Sequence, residues 1–171
     1  MVLDIYTDGS SDPIINSVNI RIGAVVVDQS DPDYKGFKYS RKTTIHNVKS
    51  QLGFNEDDIF NSNSTIAEYY SIHEILKEIN RTRVHIEVIN IYTDSLIVFN
   101  IYNGIQKARC HMIKRIFGSV NHLIFKMKSE VNVMWIKGHS GTWGNEEADK
   151  LCKSKRKIEM INEIQGILPK L

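Results

Sequence analysis

The tetrapeptide Ile-Tyr-Thr-Asp occurs twice, at Ile5–Asp8 and at Ile91–Asp94. Each copy ends a short apolar stretch, "VLDIYTD" and "IEVINIYTD". Apolar side chains on alternate positions mark a strand with one buried face. The chain must therefore hold two strands that stop on an acid in the same local context. A single Asp after a strand ordinarily opens a turn or caps the next helix. Repetition points further, because sites in open α/β sheets form beyond strand ends. If the two strands are neighbours, two carboxylates meet, and like charges at short range raise one another's pKa unless something neutralises them.

The rest of the chain supplies the frame. "RIGAVVVD" and "FKYSRKTTI" read as strands two and three, with Asp12-Pro13 expected to break the chain after the first. Residues 46–64 show no clean period and read as an insertion or long loop. Ile72, Ile75, Leu76 and Ile79 then mark a helix whose start Ser64 or Thr65 can cap. "SLIVFNIYNG" reads as a short buried helix ending at Gly104, and 105–129 as helical with a break at Gly118. "VNVMWI" is a fifth strand, "NEEADKLCKSK" opens the last helix of the main domain, and "KIEMINEIQGIL" is an amphipathic tail helix. Three strands able to form a meander, followed by helix–strand alternation, predict an α/β fold with a five-stranded mixed sheet flanked by helices.

Two further acids fit their surroundings poorly. Glu68 lies four residues before Ile72 and seven before Ile75, on the apolar stripe of its helix, whereas Glu74, Lys77 and Glu78 fall off that stripe and read as solvated. Acids favour helix N-termini, so the first-turn position of Glu68 has a purely structural reading as well. The fourth acid is in "WIKGHSGTWGNEEADKLC", where a glycine-rich loop carries His139 and Asp149 follows ten residues later. Gly138, Gly141 and Gly144 permit close backbone approach or left-handed turns there. A lone loop histidine is usually solvated, but beside an acid-bearing helix it is placed for proton transfer. Glu147 reads as solvated, and Glu146 as able to reach outward. Clustered carboxylates call for cations. Mg²⁺ is hard and oxygen-seeking, and two such ions can clamp the attacking and leaving oxygens of a displacement at phosphorus. On this reading Asp8 and Asp94 form the floor of a two-metal site that Glu68 and Asp149 complete.

The order TDG, AEY on a helix, YTDS, then GHSG-x-x-GNEEAD resembles type 1 ribonuclease H, including the RNase H domains of reverse transcriptases, over about residues 1–155. The resemblance implies an RNase H-like fold and divalent-metal cleavage of the RNA strand of RNA–DNA hybrids, with two Mg²⁺ ions or Mn²⁺ in their place. By motif match Asp8, Glu68, Asp94 and Asp149 are the metal-binding carboxylates, and His139 is the mobile histidine that assists proton transfer or product release. Gly9 and Ser10 take the backbone-contact positions after the first acid, Ser95 the small hydroxyl after the third, and Asn145 a substrate-side position. There are departures. Ser64 and Thr65 stand where the family usually has Asn-Asn before the helix acid. Leu96 replaces a common Gln, and "SSDPIINSVN" replaces an Asn-Pro-Gly-type turn.

With a formal charge of only +2, no whole-molecule field attracts a polyanion, so local patches must do so. Residues 105–128 hold Lys107, Arg109, Lys114, Arg115, Lys126 and Lys128 and no acid, which reads either as a solvated face or as a phosphate-tracking surface. Trp143 reads either as a substrate-stacking or as a buried residue. Cys110 and Cys152 lack metal-type spacing and read as reduced thiols of an intracellular protein. No signal peptide is expected, and no apolar run is long enough to span a bilayer. The expected domains are residues 1–155 and a helical tail, 156–171. The expected form is a monomer or one domain of a larger polymerase polyprotein. A junction resolvase and a non-catalytic hybrid-binding module are the competing readings.

Overall fold

The computed structural model describes residues 1–14, 17–31, 37–54 and 63–154, so the expected tail helix lies outside the described residues. The strands are β1 (Val2–Ile14), β2 (Ser17–Asp28), β3 (Phe37–Thr44), β4 (Val88–Thr93) and β5 (Glu130–Trp135). They form one five-stranded sheet in the order β3-β2-β1-β4-β5. β1, β2 and β3 pair antiparallel, and β1–β4 and β4–β5 pair parallel. The helices are α1 (Ile45–Leu52), α2 (Asn63–Arg81), α3 (Leu96–Tyr102), α4 (His111–Met127) and α5 (Trp143–Lys153). The mixed sheet and flanking helices are as the sequence predicts.

The strand period sorts the sheet into two faces. Odd-numbered residues of β1 look toward α2: a Cβ on Gly9 would lie 2.3 Å from the Ala67 backbone. Ile5, Ile89 and Ile91 are buried in one core cluster with Ile66, Ile72, Ile75 and Leu76 of α2. Even-numbered residues look toward α5, where Gly144 admits the Tyr6 ring and Gly23 admits the Ala148 carbonyl. α4 packs on the outer side of α2, with Phe117 edge-on to Tyr69.

Several elements differ from expectation. β1 continues through Asp12-Pro13 because its other neighbour has ended: the pairing with β4 stops at Tyr6 ↔ Tyr92, while Pro13 opposes Val18 of β2. A residue without an N–H is tolerated on a strand with a free side. The segment expected to be a loop contains α1. Its ends make it a helix: the Thr44 side chain accepts from the Asn47 N–H, and Gly53 closes it at φ 69°. Its apolar stripe is only three residues long, Ile45, Val48 and Leu52, with Val48 alone fully buried, so the surrounding polar residues mask the period. α2 begins at Asn63, which puts Ser64 and Thr65 inside the helix rather than at its cap. α4 runs unbroken through Gly118, and 105–110 is not helical. α5 starts at Trp143, two residues before Asn145. Glu74 is fully buried, since α2 is enclosed on both sides. Its carboxylate binds Arg41, and Lys77 at 3.2 Å. Glu147 also is not free, being held by Lys38 at 2.7 Å and Lys150 at 2.8 Å. Among the described residues no helix is long and apolar enough to cross a membrane.

Candidate metal-dependent active site

The two Ile-Tyr-Thr-Asp copies lie side by side. β1 and β4 pair in parallel with Ile5 opposite Ile91 and Tyr6 opposite Tyr92. The tyrosine rings stack at 4.7 Å with 14° between planes. Each strand then delivers its acid two residues beyond the last pair, where the strands part. Glu68 arrives from α2 on the opposite side of the strand. Only a residue without a side chain at position 9 lets it come so close, since a Cβ there would lie 2.4 Å from the Glu68 nitrogen. One carboxylate oxygen from each of Asp8, Glu68 and Asp94 lies within 4.8 Å of the other two.

The electrostatics follow from that crowding. Burial, with the Asp94 and Asp149 charges behind it, pushes the Asp8 carboxyl up to about 6, against the hydrogen bonds from the Gly9 N–H and from Glu68. Burial and then the Asp8 and Asp94 charges raise Glu68 well above the usual carboxylate range. Glu68 Oε2 is buried with no hydrogen-bond partner. Three converging oxygen donors, mutual repulsion and an orphaned buried oxygen suit a hard divalent cation.

Asp149 stands apart from this trio. On α5 it pairs with Lys153 at 2.6 Å, one turn away, while still adding to the upward push on Asp8. His139 is exposed on the loop before α5, with φ 53° in the left-handed region. Its neighbour Gly138 backs onto Asp94, where a Cβ would lie 2.9 Å from Oδ2. Ser140 Oγ donates to the Lys137 carbonyl at 2.6 Å and fastens the loop.

The substrate-side candidates scatter. Asn145 is 3% exposed, and its Nδ2 donates to Asp94 Oδ2 at 3.2 Å, so it touches the acid rather than open solvent. Gly9 is buried under α2. The Ser10 hydroxyl accepts from the Cys152 thiol at 3.2 Å, and burial drives that thiol up to about 12. The Ser95 N–H donates to Thr93 Oγ1 at 3.1 Å and opens α3 beside Asp94. Ser64 is exposed and Thr65 buried in the first turn of α2. Lys107, Arg109 and Lys114 are exposed. Arg115 is exposed but engaged, donating to the Gly53 carbonyl at 3.1 Å with its guanidinium 5.0 Å from the Phe54 ring centroid. Trp143 is 49% exposed. Sequence reasoning overlooks Trp135, whose indole N–H donates to the Asp94 carbonyl at 3.1 Å. Its only signal is position, as the residue that closes β5 opposite Thr93.

The sequence model of the RNase H family matches residues 2–157. Among solved structures, RNase H1 from the halophilic archaeon Halobacterium salinarum NRC-1 is 18% identical, with a TM-score of 0.61 over 88% of this chain and 94% of that one. LC11-RNase H1, isolated from compost by a metagenomic approach, is 20% identical, with a TM-score of 0.61 over 95% of this chain and 97% of that one. LC11-RNase H1 in complex with an RNA/DNA hybrid gives 14% identity and a TM-score of 0.60 over 88% and 96% of the two chains.

Proposed function

This chain belongs to the RNase H family, and from that premise we propose that it cleaves the RNA strand of RNA–DNA hybrids with two Mg²⁺ ions, or Mn²⁺ in their place. It is a ribonuclease H enzyme. The observation that carries the reading is the convergence of Asp8, Glu68 and Asp94 oxygens within 4.8 Å. These three acids would hold the cations, joined by Asp149 once it turns from Lys153. Bound there, divalent cations neutralise charge at the scissile phosphate and lower the pKa of a water nucleophile.

The chain's own residues do the rest. Asn145 fixes the Asp94 carboxylate, for which Gly138 leaves room, and the Trp135 indole fixes its main chain. His139, exposed on its fastened loop, passes a proton at the leaving oxygen and helps the product depart. Lys107, Arg109 and Lys114 lie on an acid-free stretch and suit phosphates farther along the duplex. Such contacts set position rather than base identity.

Labelled RNA–DNA hybrid, duplex DNA, duplex RNA and a four-way junction would be incubated with the protein in Mg²⁺ or in EDTA. Mg²⁺-dependent loss of the RNA strand of the hybrid alone is expected. Preferential cutting of the junction would instead make the chain a resolvase. Hybrid binding without cleavage in any divalent cation would make it a binding module.

A further inference from the structure

The outer face of α4 has features that packing within the chain does not explain. The buried residues of this helix are Met112, Ile113, Ile116 and Val120. Its opposite side carries Lys114, Gly118, Asn121, His122, Phe125 and Lys126, all exposed. Their spacing of three, four, seven and eight residues brings them onto one face. Phe125 is 81% exposed, more than any other large apolar side chain among the described residues. Gly118 lies in the middle of the helix, and a Cβ there would meet nothing within 4 Å. Glycine weakens a helix interior, so nothing inside the chain accounts for its presence.

The charge on this face has one sign. From Ser95 to Ser129 the chain has no Asp or Glu. Lys114 and Lys126 make no ion pair among the described residues, and Lys128 follows as the exposed C-cap. A solvated helix face ordinarily mixes both signs. Lys114 and Lys126 stand ~18 Å apart along the axis. Between them His122 and Phe125, one turn apart, offer two flat rings to solvent. An acidic protein partner would use the cations but leave the rings and the glycine without a role. An apolar partner would bury unpaired lysines. A single nucleic-acid strand uses every feature: phosphates meet the lysines, bases stack on the rings, and Gly118 lets the strand lie close to the helix. A duplex keeps its bases stacked on one another and leaves Phe125 without a partner.

We propose that the outer face of α4 binds single-stranded nucleic acid, and that its ligand is an unpaired flank of the hybrid. Tyr69, next to Glu68 on α2, meets Phe117, and one turn farther on His73 meets Ser119. α4 therefore runs in the same direction as α2, starting near the level of the acids and leading away from them. Phe125 lies ~12 Å beyond Phe117 along the axis. A strand on this face leaves the acids behind, as a flank of the cleaved duplex must. The choice of a flank rests on the hybrid-cleavage reading, whereas single-strand binding itself does not.

The probes are labelled oligothymidylate and oligouridylate, titrated into the full chain in EDTA. Fluorescence anisotropy would measure affinity, and amide shifts in NMR spectra would locate binding. Saturable shifts at Gly118, Asn121, His122 and Phe125 are expected with both probes, since stacking tolerates any base. Phe125→Ala should weaken binding by roughly tenfold, and Phe125→Leu, which keeps the bulk but not the ring, by nearly as much. Lys126→Gln should make the slope of log affinity against log salt shallower by ~0.7. Phe125 is exposed, so these variants should fold as the parent does. Absence of those shifts, or full affinity in Phe125→Ala, overturns the proposal. Polyglutamate that binds the same face, and needs Lys126 but not Phe125, would make it a dock for an acidic protein instead. Steady-state cleavage then tests the flank. A hybrid with an unpaired tail should show a lower KM than its blunt counterpart, and Phe125→Ala should erase the difference. Equal KM values in the wild type would overturn the assignment to a flank. Single-strand binding here without cleavage of any hybrid would retain the α4 site and lose only the hybrid-cleavage reading.

Discussion

Asn145 donates from Nδ2 to Asp94 Oδ2 at 3.2 Å, so the helix that carries Asp149 also holds the acid that ends β4. Asn145 is buried, and its own Oδ1 has no partner. The amide therefore orients a carboxylate rather than meeting substrate. Asn145→Ala should lower kcat by ~10–100-fold, the usual effect of removing a group that orients a metal ligand, with KM nearly unchanged. The accompanying loss of stability should be about 0.5–1.5 kcal/mol, the net worth of one hydrogen bond, since Asp94 is only half-buried. Kinetics on a hybrid and thermal melts check both. A raised KM at constant kcat would return Asn145 to the substrate-contact role suggested by its motif position.

Asp94→Asn should abolish cleavage while leaving the fold intact. Asparagine has nearly the same shape but lacks the charge that holds a cation. Without metal it also relieves repulsion on Asp8 and Glu68, both of which Asp94 pushes upward. The variant should therefore melt at or above the wild-type temperature in EDTA. It should also lose most of the stabilisation that Mg²⁺ gives the wild type. Near wild-type turnover in Mg²⁺ would remove Asp94 from the metal site.

The same cluster sets a pH dependence with a definite sign. Asp8 is held at about 6 in the folded chain, against an ordinary carboxylate near 4. Between those values the folded chain keeps a proton that the unfolded chain has lost, so stability falls as pH rises, and the Asp8 penalty is complete above about 6. Two pH units correspond to at most ~3 kcal/mol. Glu68, raised by the same burial and charges, acts with the same sign. Glu74 acts in a separate window. Against the upward push of burial, the His73 hydrogen bond and the Arg41 and Lys77 charges hold it at about 2. Its stabilisation is present above an ordinary carboxylate value and is lost only as pH falls toward 2. Melts in EDTA should therefore drop from about pH 4 to 6, and Mg²⁺ should reverse the drop by preferential binding to the folded state. A flat EDTA profile over that range would contradict the crowded-carboxylate picture.

The legible parts of this molecule are those set by short-range pattern. Period-two strands ending on Asp8 and Asp94 can be read directly, and Glu68 shows itself by lying on the apolar stripe of α2. What pairs those strands is long-range register, Ile5 against Ile91, which the repeated tetrapeptide hints at but does not state. α1 is hard to read because its periodic face is only Ile45, Val48 and Leu52, amid polar turn formers, and its ends are set by Thr44 and Gly53. Glu74 looks solvated in the sequence because a single stripe implies a single packed side, whereas α2 has the sheet on one side and α4 on the other. Its partner Arg41 is 33 residues away in the chain. Asp149 is legible as an acid near the site, but its pairing with Lys153 one turn along α5 is one of several partners that helical spacing allows.

His139→Ala should slow turnover without abolishing it. A positioned acid–base group typically contributes ~10²–10⁴-fold, whereas charge stabilisation by the cations would persist. The side chain is exposed, and the loop is fastened by Ser140 rather than by the imidazole, so folding should be unaffected. Single-turnover and steady-state rates would separate the chemical step from product release. Loss of hybrid affinity at an unchanged single-turnover rate would make His139 a binding residue.

The basic stretch divides into two kinds of residue. Arg115 lies over Phe54 and donates to the Gly53 carbonyl, tying α4 to the end of α1. A cation over an aromatic face contributes ~0.5–1 kcal/mol at exposed sites. Arg115→Ala should therefore lower the melting temperature. Lys107, Arg109 and Lys114 are exposed and make no such tie among the described residues, so neutralising all three should barely change stability. Hybrid binding should weaken by a similar factor for every sequence, because phosphate contacts carry no base identity. For each phosphate that a side chain no longer neutralises, the slope of log affinity against log salt should become shallower by roughly one unit. The acids lie elsewhere, so saturating hybrid should restore the single-turnover rate. Titrations at several salt concentrations, with Ca²⁺ replacing Mg²⁺ to suppress cleavage, measure the slope. An unchanged slope in the triple variant would leave these three side chains as an ordinary solvated face.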